Sequence, residues 1–220
     1  MFLLSEGLAD SQLASLTPAK LAPDSPRKIL SKIFRGDRAV VENLLQDTSD
    51  LESVLRLSNE HSPSEYVPAL LAESEQDDVI RGLCLRLLTA LAGGGEDRFR
   101  AFWSEHFDRV MIFVFEMMDE LKAQTRIAAV LLLERVVLLL PRRCRPHLNE
   151  IVAQLVERVS GEQRQVAAPC ERVLSAICAD FPEKSLTFKI LRGLLGSRSD
   201  PLSLKTLLKE LLSFMKLCYA

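Results

Sequence analysis

Hydrophobic residues crowd positions 99–140 so densely that the rest of the chain can be read outward from there. Val110, Met111, Ile112, Phe113, Val114 and Phe115 are consecutive, and residues 130–133 and 136–140 are unbroken aliphatic runs. Asp119-Glu120-Leu121-Lys122 divides the two halves. The pattern predicts two helices joined by a short polar turn, each apolar around more than half its circumference. Pro141 predicts the end of the second helix. Such helices are buried by neighbours on several sides. One hairpin cannot supply those neighbours, so more hairpins are expected before and after it.

The flanking sequence has the pattern of such hairpins. Residues 66–72 and 79–92 read as a preceding pair, with Ile80, Leu83, Cys84, Leu87, Leu88 and Leu91 at helical spacing. Pro63 suits the helix start and Ser64 its cap, and Gly93-Gly94-Gly95 suits the end of the pair. Downstream, residues 147–159 and 163–181 form a pair about Ser160-Gly161, and residues 186–195 and 202–218 form another. Ile80-Arg81, Thr125-Arg126-Ile127, Gln165-Val166-Ala167 and Ser203-Leu204 fall at matching points in the second helices. Two helices per period of roughly 40 residues predict an all-α fold, an α-solenoid of HEAT-type antiparallel pairs.

Residues 1–62 read as an N-terminal extension to a repeat domain at 63–220. Pro18, Pro23 and Pro26 predict a disordered or extended leader over residues 1–27. Residues 28–34 predict a short amphipathic helix, and Asp37 can cap a second one carrying Val40, Val41, Leu44 and Leu45. No basic segment precedes Phe2-Leu3-Leu4, so no signal peptide is expected. The apolar run ending at Leu140 contains Glu134 and Arg135 and is too short for a bilayer, so no membrane insertion is expected.

A net charge of −2 argues against the bulk basic surface that nucleic acid requires. The five cysteines form no CxxC pair and mostly occupy apolar helical positions, which predicts reduced, buried thiols. His61, His106 and His147 lie far apart, without metal-type spacing. No Gly-Lys-Ser/Thr follows the glycine triplet, and no nucleophile elbow is present. The chain is expected to be non-enzymatic, with no cofactor and no metal. Trp103, Phe107, Phe113, Leu132, Val136, Leu155, Val173, Ile177, Leu191 and Leu208 are the expected buried anchors. The last helix carries Leu204, Leu207, Leu208, Leu211, Leu212 and Phe214 against a single polar stripe of Lys205, Lys209, Glu210, Ser213 and Lys216. Its outer face is expected to self-associate or to be covered by another chain.

The run Trp103-Ser104-Glu105-His106-Phe107 and the aliphatic string after it resemble the second repeat in the C-terminal TOG-like domain of CLASP proteins, the CLIP-associating microtubule regulators. Thr125-Arg126-Ile127-Ala128 and residues 184–195 with Asp200-Pro201 fit the same alignment. The resemblance spans about residues 79–214. It implies a cytoplasmic, cytoskeletal module that organises microtubule plus ends and spindles by docking CLIP-type, kinetochore or cortical proteins and by binding tubulin. TOG domains touch tubulin through the turns inside each repeat, here residues 74–78, 119–124, 160–165 and 196–201. The cations on or beside those turns are Lys122, Arg126, Arg164, Arg198 and Lys205, which the resemblance makes candidate partner-binding residues on acidic tubulin.

Overall fold

The computed structural model describes residues 25–37, 40–41, 61–75 and 77–219, with residues 25, 26 and 217–219 described by backbone alone. Most of the disordered or extended leader expected over residues 1–27, and most of the second amphipathic helix expected after Asp37, lie outside the described residues. Within them the chain is helical throughout and contains no strand. After α1 (Ser25–Ile33) come four antiparallel pairs: α2 (Pro63–Ser74) with α3 (Asp78–Gly93), α4 (Arg100–Met118) with α5 (Ala123–Leu139), α7 (Leu148–Gly161) with α8 (Arg164–Asp180), and α9 (Lys184–Ser197) with α10 (Pro201–Tyr219). Between the second and third pairs stand the single turn α6 (Pro141–Cys144) and a 3₁₀ turn over Arg145–His147.

Packing makes this a layered array. The second helices lie side by side in one unbroken row, α3 on α5, α5 on α8 and α8 on α10. Of the first helices, α2 rests on α4 and α7 on α9. α1 packs on the outer side of α2, where Leu30 and Phe34 are buried beside Tyr66. This is the nearest-neighbour burial of a helical-repeat fold.

The aromatic group in the first turns of α4 anchors the core of the second pair. Trp103 is fully buried, Phe102 and Phe107 nearly so, with ring centroids 4.8 and 6.3 Å from the Trp103 ring. Burying each such side chain contributes roughly 1.5–3 kcal/mol. The glycine triplet ends α3 for a steric reason. A Cβ on Gly94 would meet the Phe99 ring at 2.5 Å, and Gly95 holds φ of +83°, which side chains other than glycine resist.

Several local expectations shift. Ser62, not Ser64, takes the cap position of α2, without a side-chain cap bond, and Pro63 is the first helical residue. Asp77 of the first turn is also the cap of α3, its Oδ1 accepting from the Val79 and Ile80 amides at 2.8 and 3.2 Å. Pro141 does end α5, but it also opens α6, because proline fits a first helical position. In α10 the phase differs from expectation: Leu207 and Phe214 are buried, whereas Leu208 is 47% exposed. Glu210, expected on the outer polar stripe, faces inward and is buried, with Ser175 Oγ of α8 donating to its two carboxylate oxygens at 3.3 and 3.2 Å.

Candidate docking surfaces

The four intra-repeat turns line one edge, and the first three are tied together by arginines. Arg81 Nε donates to the Ser74 carbonyl at 3.2 Å, and its Nη1 lies 2.9 Å from Glu120 Oε1 on the second turn. One pair further on, Arg126 Nη1 donates to the Glu120 and Leu121 carbonyls at 2.6 and 2.9 Å, and its Nη2 lies 3.2 Å from Glu162 on the third turn. Arg158, buried on α7, donates to the Met118 carbonyl at 3.2 Å and pairs with Asp119. At the last joint two hydroxyls meet, Ser203 and Ser160 at 3.1 Å, beside a longer Arg198–Glu157 pair at 3.8 Å. These bonds satisfy carbonyls at the helix ends that helical hydrogen bonding leaves open.

The five candidate cations therefore divide. Arg126 has a side chain only 16% exposed and serves the ladder just described. Arg198 lies 3.8 Å from Glu157 and is partly covered. Lys122 pairs with Asp78 across the first two turns, yet its side chain stays 62% exposed. The Lys122 hydrogen bond holds the Asp78 carboxyl below the usual carboxylate range, and the Arg81 charge adds to the effect. Arg164 and Lys205 stand exposed at the starts of α8 and α10. The geometry places all five on or near one edge and leaves three of them open to solvent.

The opposite edge is braced in the same manner. Arg143 reaches Glu96 at 3.1 Å and Arg145 reaches Glu183 at 3.1 Å, so two arginines between the second and third pairs tie inter-repeat connections together. His147 lies 2.8 Å from Asp108 of α4. Cys84, Cys144 and Cys178 are buried, and burial pushes each thiol up to about 12. Cys170 is pushed up to about 11 for the same reason. At neutral pH these four are protonated and act as small apolar side chains. Among the described residues no group of three His, Cys, Asp or Glu side chains is placed to hold a metal ion, and no helix is long and apolar enough to cross a membrane.

No family model, curated protein or solved structure matches the chain.

A surface that pattern reading missed lies on the row of second helices. A recess of about 490 Å³ opens between α3 and α5, lined by Gly82, Leu85, Ala90 and Ala128 and by the exposed Arg86, Leu131 and Arg135. The signal was present in the sequence: Gly82, Arg86 and Thr89 share one helical face of α3, as Ala128, Leu131 and Arg135 share one of α5.

Proposed function

We propose that the chain is a non-enzymatic, microtubule-associated helical-repeat module that works by docking protein partners, as the likeness to CLASP proteins implies. The observation that carries this reading is the alignment of the intra-repeat turns along one edge, with Lys122, Arg164 and Lys205 exposed there. An edge of exposed cations on a rigid array suits an acidic protein surface and speeds encounter with it. The Trp103–Phe107 motif supports the reading indirectly. Its aromatic residues are buried, so it speaks for a shared way of building a repeat and not for a contact with tubulin.

The test is co-sedimentation of the chain with stabilised microtubules at two salt concentrations. Pelleting is expected at low salt and should weaken as ionic strength rises, because exposed charges are screened beyond about 8 Å at 0.15 M. Reversing Lys122, Arg164 and Lys205 to Glu should reduce pelleting and leave the circular dichroism spectrum unchanged. Unaltered pelleting of that triple variant rejects the edge as the contact. A wild-type chain that never pellets rejects the microtubule link.

A second reading, a docking scaffold with no microtubule role, is favoured by one observation. Lys122, Arg126 and Arg198 are already paired with acids of their own array, which leaves a smaller positive field at the edge than the sequence suggests.

A further inference from the structure

Exposed apolar side chains are distributed unevenly over the two layers. Eight of the ten large hydrophobic residues left exposed among the described residues lie on second helices, among them Leu131 and Leu138 of α5 and Leu208 and Leu212 of α10. Charge follows the same division. The four second helices carry nine Lys or Arg against five Asp or Glu. Of those five acids, Glu210 is buried, while Glu134 and Glu171 are held by Arg172 and Lys209 in ion pairs between adjacent helices. The outward face of this layer is thus apolar with an excess of positive charge.

One concave place on it is the recess between α3 and α5. Gly82, Ala90 and Ala128 bring little or no side chain to its lining beside the buried Leu85, so it leaves a furrow into which another element's side chains can descend. Arg86 and Arg135 stand exposed at its sides, and Leu131 and Leu138 form an exposed aliphatic stripe along α5. We propose that this recess is the docking site for an acidic amphipathic helix of a protein partner, its aliphatic residues in the furrow and its carboxylates against Arg86 and Arg135. The proposal rests on the docking-module reading and names the surface and the chemistry of the partner. Charge complementarity selects an acidic segment over a basic one. The furrow selects a helix over an anionic membrane, because an amphipathic helix laid in a groove inserts anchors at i, i+3, i+4 and i+7, whereas a flat lipid surface needs apolar groups that protrude.

Gly82 makes the idea testable with little risk to the fold. A Cβ added there meets only Arg86 Nη1, at 3.8 Å, an ordinary contact, and the position is mid-helix. Gly82→Leu should therefore fold as well as the wild type while filling the furrow. The probe is a fluorescein-labelled 18-residue designed peptide with leucines on one helical face and glutamates on the other, set against a lysine version and against vesicles of phosphatidylserine and phosphatidylcholine. By anisotropy, the acidic peptide is expected to bind the full chain, at least tenfold more tightly than the lysine peptide. Gly82→Leu and the pair Arg86→Glu with Arg135→Glu should each weaken it at least tenfold, at unchanged helicity. Amide shifts in NMR spectra should centre on Gly82, Thr89 and Ala128. Equal binding of both peptides, indifference to Gly82→Leu, or Gly82→Leu-sensitive binding of vesicles without peptide would overturn the proposal. Microtubule pelleting of Gly82→Leu separates the two readings: retained pelleting with lost peptide binding leaves both standing, and failure of either assay in the wild type removes only its own reading.

Discussion

Arg81 and Arg126 hold the same position, the fourth residue, in successive second helices, and each does the same two things. Each donates to carbonyls of the turn leading into its own helix, and each reaches a glutamate on the next turn, Glu120 and Glu162 respectively. The pair forms a ladder that sets the spacing of the first three repeats. In α8 the corresponding residue is Ala167, and in α10 it is Leu204, so the ladder ends there.

Removing a rung should cost more than removing an exposed charge beside it. Arg126→Ala gives up two bonds to carbonyls and one ion pair, and hydrogen bonds from charged groups contribute about 1.5–3 kcal/mol each at most. A loss of about 1–3 kcal/mol is expected in urea denaturation. Lys122→Ala, which breaks only an exposed pair, should fall within about 1 kcal/mol of the wild type. Equal costs would remove Arg126 from its structural role.

Trp103→Ala should destabilise the chain by about 3–5 kcal/mol, the usual result of emptying a buried aromatic site. Trp103→Phe should cost far less. The indole Nε1 is buried and meets no hydrogen-bond partner among the described residues, so phenylalanine forfeits packing but no hydrogen bond. Thermal melts of the two variants side by side decide it.

Glu210 predicts a pH-dependent difference. Burial raises its carboxyl above the ordinary value, and the Ser175 hydrogen bond only partly offsets that. Glu171 acts in the same direction as burial and Lys209 against it. With the folded value above the unfolded one of about 4.3, the folded state holds the proton more tightly. The stabilisation from that proton is complete below the unfolded value and is lost as pH rises through the folded one. Glu210→Gln should therefore melt higher than the wild type at pH 8, and the gap should close toward pH 4. A gap that widens on acidification contradicts the burial.

Leu207 and Leu208 separate the two faces of α10. Leu207→Glu places a charge in the core and should unfold the last pair. Leu208→Glu should leave stability within about 0.5 kcal/mol, as for a surface site. If the outer face self-associates, as its exposed Leu208, Leu212 and Met215 suggest, light scattering at micromolar concentration should show a larger species in the wild type that Leu208→Glu dissolves.

The helices were legible because they needed little more than counting: long apolar runs, punctuated by proline, glycine and acidic turns, at a regular period. The faces were less so. α10 carries leucine at 204, 207, 208, 211 and 212, which fills two adjacent phases of the helix, and only the neighbours in space choose between them. A glutamate among leucines reads as solvent-facing, and nothing local reveals that Ser175 waits for it. That the turn cations lie at one end of the helix pairs follows from topology. That Arg126 belongs to carbonyls was hinted at by its match in register with Arg81. The recess was missed because glycine and alanine on a helix look like filler until a second helix with its own small residues lies alongside.

The end of the arginine ladder gives the array a mechanical polarity. α9 buries only Thr187, Ile190 and Leu191, and the last joint has a hydroxyl contact and a longer Arg198–Glu157 pair at 3.8 Å where the earlier ones have guanidinium bridges at 2.9 and 3.2 Å. Local opening begins where buried apolar contact is thinnest. Pulled from its two ends, the chain would yield first between the third and fourth pairs, peeling off α9 and α10 as a unit while the three laddered pairs still bear the load.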